Sequence, residues 1–289
     1  ADARSLRLWA HPRAQVYAAP LIASHVGADI VADLVAIDAF TGDEDFVLVD
    51  VGTNTEIVVR HDGRMAAASC PAGPAFEGGG VGCGMAAVDG AIESLRMTSG
   101  LSDTDSDSRI DYHVIGDVTP RGLCGSGLID LLAELRRLDR MSPKGVFTGK
   151  AQEVSVVSEH RIALTREDAS NLAQAKAANY CGQFIVMREV GIGPVNVPRL
   201  YLAGGFANYI DVPNAIAIGF LAPVPVEHVV KIGNAALQGA RELLLSKQKR
   251  DTIESGIKNI EHVELETTPD FFEVFVEGCQ FKPMPQRME

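Results

Sequence analysis

The stretch DVGTNTE, residues 50–56, follows directly on the apolar run FVLV at 46–49, and its reading decides the fold. The run before it has the make-up of a buried strand. TEIVVRHDGRMAAASC, 55–70, reads as a hairpin turning at Asp62 and Gly63. Strand, turn, strand, turn, strand is therefore predicted from 46 to 70. Gly52, Thr53, Asn54 and Thr55 form a small polar turn between two of those strands. Two uses fit such a turn: an ordinary tight connection, or a loop whose backbone N–H groups cradle phosphate oxygens.

Working outward, three more places combine glycine with a strand end or a helix start: PAGPAFEGGGVGCG at 71–84, GLCGSG at 122–127 and AGGF at 203–206. Turn sterics explain any one of them alone. Upstream, VGADIVADLVAI at 26–37 places Ile30, Leu34 and Ile37 at helical spacing. Downstream, HVVKIGNAALQGARELLL at 228–245 reads as a short strand and then a helix. MAAVDGAIESLRM, 85–97, reads as a helix, as does the segment after GLCGSG up to Leu138. Thr165 and Asp168 have the spacing of a helix-start box, before an Ala-rich helix reaching about Val190. VELE at 263–266 alternates, and FFEVF gives a short helix. Asp103, Asp105 and Asp107 hint at a calcium loop, but Ser108 and Val114 stand where that loop needs Gly and Glu, so a solvated loop is expected over 100–111. The mixture argues an α/β class. The antiparallel unit at 46–70 is unlike a doubly wound dinucleotide fold, in which a helix follows each strand.

Composition excludes several functions. The 289 residues are 46% hydrophobic and 22% charged, with a net charge of -12. That balance argues against nucleic acid and against membrane surfaces, both of which select Lys and Arg. No apolar run is long enough to span a bilayer, and ADARSLRLWA lacks the plan of a signal peptide. Cysteines 70, 83, 124, 181 and 279 are odd in number and contain no CxxC, so they read as reduced thiols of a cytoplasmic protein, not as metal or cluster ligands. Cys83, Cys124 and Trp9 read as packing residues.

The chemistry of a phosphate site fits the glycine turns. Asp50 at a strand end suits a magnesium ion, held through water beside the phosphates. Thr53 and Thr55 supply hydroxyls, and Gly204–Gly205 would let an adenosine lie flat on the backbone. The Walker pattern GxxxxGK[ST] is absent.

The order of the pieces resembles the actin, sugar-kinase and heat-shock-chaperone superfamily of ATPases, in which two subdomains clasp ATP. VGADIVADLVAI resembles the first connecting helix, VDVGTNTEIVVRHDG the second phosphate loop, LAGGFANYID the adenosine motif and GNAALQGA the second connecting helix. The helix preceding DVGTNTE makes it the second phosphate loop, and residues 1–25 hold no Asp-x-Gly-Thr turn that could be the first. More narrowly, DVGTNTE, AGPAFEGGG, GLCGSGLID, LAGGFANYID, IGNAALQGA and a tail of pattern FxxxFxxxxxF are similar, over about residues 15–282, to the C-terminal region of the reductive activators of corrinoid proteins.

That resemblance implies an actin-like (ribonuclease-H-like) fold lacking most of its first subdomain. Residues 1–40 would be a connection and helix from that subdomain, and 41–289 the second subdomain. It implies ATP and magnesium as ligands, a [2Fe–2S] cluster only in an upstream ferredoxin-like domain, a corrinoid methyltransferase protein as partner, and homodimerisation. The activity implied is ATP-driven reduction of cob(II)alamin to cob(I)alamin, with this chain alone holding half a site and expected to be inactive. Asp50, Gly52, Thr53, Asn54 and Thr55 would meet phosphate and magnesium, and Gly204, Gly205 and Phe206 the adenosine. Gly73, Glu77, Gly125, Ser126 and Gly127 are further candidates, which a tight helix start or turn explains about as well. Glu56 either polarises water for hydrolysis or is a polar strand position. A small-metabolite kinase of the same superfamily, or a nucleotide-sensing module that docks a corrinoid protein, are the alternatives.

Overall fold

A computed structural model describes residues 2–11, 13–98, 109–205 and 207–287. The aspartates at 103, 105 and 107, most of the loop expected at 100–111, and Phe206 lie outside the described residues.

The chain runs α1 (Ala28–Ala36), β1 (Phe46–Val51), β2 (Thr55–His61), β3 (Arg64–Cys70), β4 (Ala91–Met97), β5 (Ile110–Val114) and β6 (Gly122–Leu123). It continues through α2 (Gly125–Arg137), β7 (Glu153–Val157), β8 (Ile162–Thr165), α3 (Arg166–Val190), β9 (Leu200–Ala203) and α4 (Val212–Ala217). The last elements are β10 (Val229–Gly233), α5 (Ala235–Leu245), α6 (Lys247–Gly256), β11 (Ile260–His262) and α7 (Phe271–Gly278). The main sheet has the order β10-β9-β1-β2-β3-β11. β1, β2 and β3 form the expected antiparallel meander, while β9 and β10 join parallel to β1. Asp62 and Gly63 both take positive φ, 49° and 76°, as a two-residue hairpin turn requires.

Side-chain alternation along the strands divides the interior in two. Val47, Val49, Ile57 and Val59 face one core with Leu172 and Ile185 of α3, whereas Leu48 and Val58 face another with Ile30 and Leu34 of α1. α3 begins with the predicted box. The Asp168 N–H donates to Thr165 Oγ1 at 3.1 Å, and the Thr165 N–H donates to Asp168 Oδ2 at 3.0 Å. The other Asp168 oxygen accepts from the Gly82 N–H, pinning the glycine-rich loop to the helix. Lys176, fully buried on α3, donates to the Gly278 carbonyl at the end of α7. Its ammonium lies 5.4 Å from the ring centroid of Tyr180 and 5.8 Å from that of Phe281. Burial pulls its pKa down to about 7.

Three expectations are corrected. The segment 85–97 is not a helix: Gly90 at φ 94° breaks it, and Leu95 and Met97 are buried while Ser94 and Arg96 are exposed, the period of a strand. This is β4, at the centre of a second sheet ordered β5-β4-β6. The C-terminal strand is Ile260–His262, just ahead of VELE, and Leu265–Thr267 is a 3-10 turn. Trp9 does not pack: its side chain is fully exposed. Cys83 and Cys124 are buried free thiols, as expected.

α1 and α5 cross on the same face of the sheet at their backbones. The Ala32 carbonyl occupies the place a side chain at Gly239 would need. In an ordinary helix, Gly→Ala gains about 1 kcal/mol. Here the added methyl must push two helices apart, so Gly239→Ala is expected to destabilise the fold by about 1–3 kcal/mol. The shift in the urea midpoint, with an unchanged slope, measures it.

Candidate functional site

The parallel pairing of β1 and β9 brings three distant segments to one sheet end. Asp50, one residue from the end of β1, lies opposite Glu56 on β2 and Ala203 on β9. Gly204 continues from β9 at φ 114°, with the Val51 carbonyl where a Cβ would stand, and its N–H donates to Gly233 of β10 at 3.0 Å. Only glycine tolerates both the angle and the approach. Gly205 beside it is open, with nothing close to the position of a Cβ. The crevice outside the carboxyl ends of parallel strands is where open α/β sheets bind ligands.

The turn of DVGTNTE is exposed at Thr53 and Asn54 and is held from one side. The Gly73 N–H donates to the Thr53 carbonyl at 2.8 Å, and the Thr53 hydroxyl donates to Glu77 Oε1 at 2.9 Å. AGPAFEG and DVGTNTE thus form one structure. Thr55 differs from the expectation: it is buried, its hydroxyl has no partner, and strand alternation turns it with Ile57 towards the α3 side, away from Asp50. Gly125, Ser126 and Gly127 form the buried first turn of α2. There the Ser126 hydroxyl donates to the Glu93 carbonyl at 2.7 Å, and Gly127 admits the Ile92 carbonyl, so packing accounts for both.

The charge at the site comes as much from α1 as from the strands. Asp33, fully buried in the middle of α1, faces Asp50, and neither of its oxygens has a hydrogen-bond donor. Two ionised carboxylates cannot donate to each other, so a shared proton is what lets this pair bond. Burial first, and then the charge of Asp50, push Asp33 up to about 9. Burial also raises Asp50. Glu56 is pushed up to about 7, chiefly by burial, although the Ser69 hydroxyl donates to its Oε1 at 3.0 Å and works the other way. Asp29, in the first turn of α1, adds its negative field to all three. The donor set is oxygen only, which suits a hard cation such as magnesium. Asp29 and Asp33 escaped the sequence reading. The signal was there: two acids four residues apart, one of them flanked by Ile30, Leu34 and Ile37 in a helix otherwise built for burial.

The family model of the C-terminal domain of RACo, the ASKHA domain, matches residues 44–288. The chain belongs to this family. An ASKHA domain is an actin-like ATPase domain, so a nucleotide is the ligand class its fold implies. The chain is 33% identical over 94% of its length to the corrinoid activation enzyme RamQ of Eubacterium limosum, covering 48% of that protein. It is 26% identical over 95% of its length to a reductase of the Co(II) methylated amine-specific corrinoid protein from Methanosarcina barkeri, covering 52% of it. A solved reductive activator for corrinoid, iron–sulfur protein superposes with a TM-score of 0.84 at 30% identity, over 98% of this chain and 47% of that one. The chain spans about half the length of the curated relatives it matches. No described helix of this ASKHA domain is long and apolar enough to cross a membrane.

The carboxyl cluster makes stability depend on pH. Asp33 and Glu56 hold their protons more tightly in the folded chain than in the unfolded one, so they favour folding in acid. Asp33 contributes fully below about pH 4, loses that contribution as pH rises and has none left above about 9. Glu56 does the same over a window closing near 7. With a chelator present, the urea midpoint of the ASKHA domain should fall as pH rises from about 4 to 9. Asp33→Asn should flatten the upper part of that fall.

Proposed function

We propose that this chain is the nucleotide-dependent part of a cytoplasmic reductive activator of corrinoid proteins. In this reading ATP drives one electron from a [2Fe–2S] cluster in an upstream ferredoxin-like domain onto cob(II)alamin, giving cob(I)alamin in a partner methyltransferase's corrinoid protein. The observation that carries the reading is the meeting of Asp50, Glu56, the Thr53 turn and Gly204 at one sheet end, in a chain of this family. The electron donor, the first phosphate loop and a dimer partner would come from outside this chain.

Each residue then has a task. The backbone N–H groups of the turn at Gly52–Asn54 and the Thr53 hydroxyl bind phosphate oxygens, once Glu77 gives up its hydrogen bond. Gly204 and Gly205 leave flat backbone for the adenosine. Asp50, with Asp33 behind it, would hold magnesium, which neutralises phosphate charge when bound. Glu56, pushed up to about 7 by burial, is suited to accept a proton from attacking water. Nucleotide binding shifts the balance between two conformations, and the differential affinity sets the size of that shift.

In the complete protein, Asp50→Ala should abolish ATP-dependent cobalt reduction while the circular dichroism spectrum stays that of the wild type. Unchanged reduction rates would remove Asp50 from the mechanism. Glu56→Gln should keep nucleotide affinity and slow hydrolysis by roughly 100-fold or more, as expected for loss of a general base. A loss of affinity instead would make Glu56 a binding residue.

A further inference from the structure

The segments that form the proposed phosphate site, DVGTNTE at 50–56, PAGPAFEGGGVGCG at 71–84 and AGGF at 203–206, contain no Lys, Arg or His. Their charged residues are three acids: Asp50, Glu56 and Glu77. Burial raises the pKa of Asp50 and of Glu56, so protonation can remove their charge as more negative charge arrives. Glu77 is different: it is exposed, and its Oε1 accepts the hydroxyl proton of Thr53 at 2.9 Å. Asp29, the exposed acid whose field reaches the site from α1, is turned to its own helix, where its Oδ1 accepts from the Ile30 N–H at 3.0 Å.

The backbone under Glu77 is fixed. It closes a 3-10 turn, Ala75–Glu77, whose Phe76 is buried with its ring edge on Phe220, centroids 5.0 Å apart. The N–H groups of Glu77 and Gly79 both donate to the Pro74 carbonyl, at 2.9 and 2.8 Å. Gly78 follows at φ 90°, with the Met85 backbone 2.6 Å from where a Cβ would stand. The Gly73 N–H holds the Thr53 carbonyl whether or not the carboxylate is in place. What is free to move is therefore the Glu77 side chain. A threonine hydroxyl has one proton to give, and carboxylate and phosphate oxygens only accept, so the two compete for Thr53 and cannot bond each other. A phosphate that takes the hydroxyl meets the Glu77 charge close by, and these segments have no basic side chain to offset it. The offset has to arrive with the ligand.

We propose that Glu77 is the specificity-determining residue of this site: its carboxylate guards the Thr53 hydroxyl and yields it to a nucleotide complexed with a divalent cation in preference to the same nucleotide without one. The guard rests on the phosphate-site reading and deepens it by naming the form of the ligand. Glu77 acts here through its charge and is not itself a phosphate ligand.

The test measures binding of a fluorescent ATP analogue to the complete protein, once with Mg²⁺ and once with EDTA. The wild type should favour the Mg²⁺ complex. Glu77→Gln keeps the shape and an acceptor for Thr53 and removes only the charge, at an exposed position, so the variant should fold. It should tighten the metal-free analogue about fivefold or more and the Mg²⁺ complex less, which narrows the preference. Raising the salt to about 0.5 M should bring wild type and variant together, because exposed charges are screened. Thr53→Val removes the shared hydroxyl and leaves the Glu77 charge; it should weaken both forms and keep the wild-type preference. A preference unchanged in Glu77→Gln overturns the guard and leaves the phosphate-site reading standing. Weaker binding of both forms in Glu77→Gln also overturns it and makes Glu77 a ligand. No analogue binding by the wild type in either condition overturns the phosphate-site reading, and the guard falls with it.

Discussion

The parallel pairing of β1 with β9 is the constraint on which the site depends. It sets Asp50 beside Ala203, residues with the whole second sheet and the long helix α3 between them in the chain. Without that register, DVGTNTE is a hairpin turn and AGGF a loop. With it, the ends of β1, β9 and β10 share one edge, and Gly204 passes so close to Val51 that a side chain there would split the pair. Non-local strand pairing closes a long loop before any contact rewards it, so such pairing forms late and is held by the packed layers on both faces.

The same edge gathers charge that the fold alone has no use for. A buried Asp33 facing Asp50, with Asp29 and Glu56 near, weakens the folded state at neutral pH relative to apolar residues of the same size. Groups perturbed by burial and by like charge, placed where several turns converge, are the usual mark of a working site. The acidic cluster and the hydrogen-bonded Thr53–Glu77 pair lie at the same sheet end. One gathers carboxyls whose hold on their protons burial tightens, and the other ties the exposed turn to the glycine-rich segment.

Much of this was legible in the sequence because the decisive elements carry local signals. FVLVDV announces a buried strand, Asp62–Gly63 a two-residue turn, and Thr165 with Asp168 a helix start; each is written within a few residues. The misreadings arose where local signals conflict. Ala86 and Ala91 favour a helix at 85–97, but Gly90 and the second sheet decide for a strand. VELE alternates as a strand would, yet β3 offers its edge to Ile260–His262 instead. Thr55 looked like a loop hydroxyl because the sequence does not say which face of β2 it takes. Asp33 shows in the sequence only as the second of two acids four residues apart in an apolar helix; that it meets Asp50 follows from the packing of α1 on β1, which no spacing within α1 records.

Where α1 and α5 cross, the Ala32 backbone meets Gly239 with no side chain between, while Val31 and Val35 of α1 pack with Leu243 of α5 nearby. Contacts padded by leucine or methionine absorb small movements by rotamer changes; backbone against backbone has no such slack. The two helices therefore behave as one stiff lever. Its inner arm carries Asp33 into the carboxyl cluster, and its outer arm displays Leu237, Leu244 and Leu245 to solvent. The close approach of the backbones thus ties the helix that bears Asp33 to the helix that bears that apolar outer face.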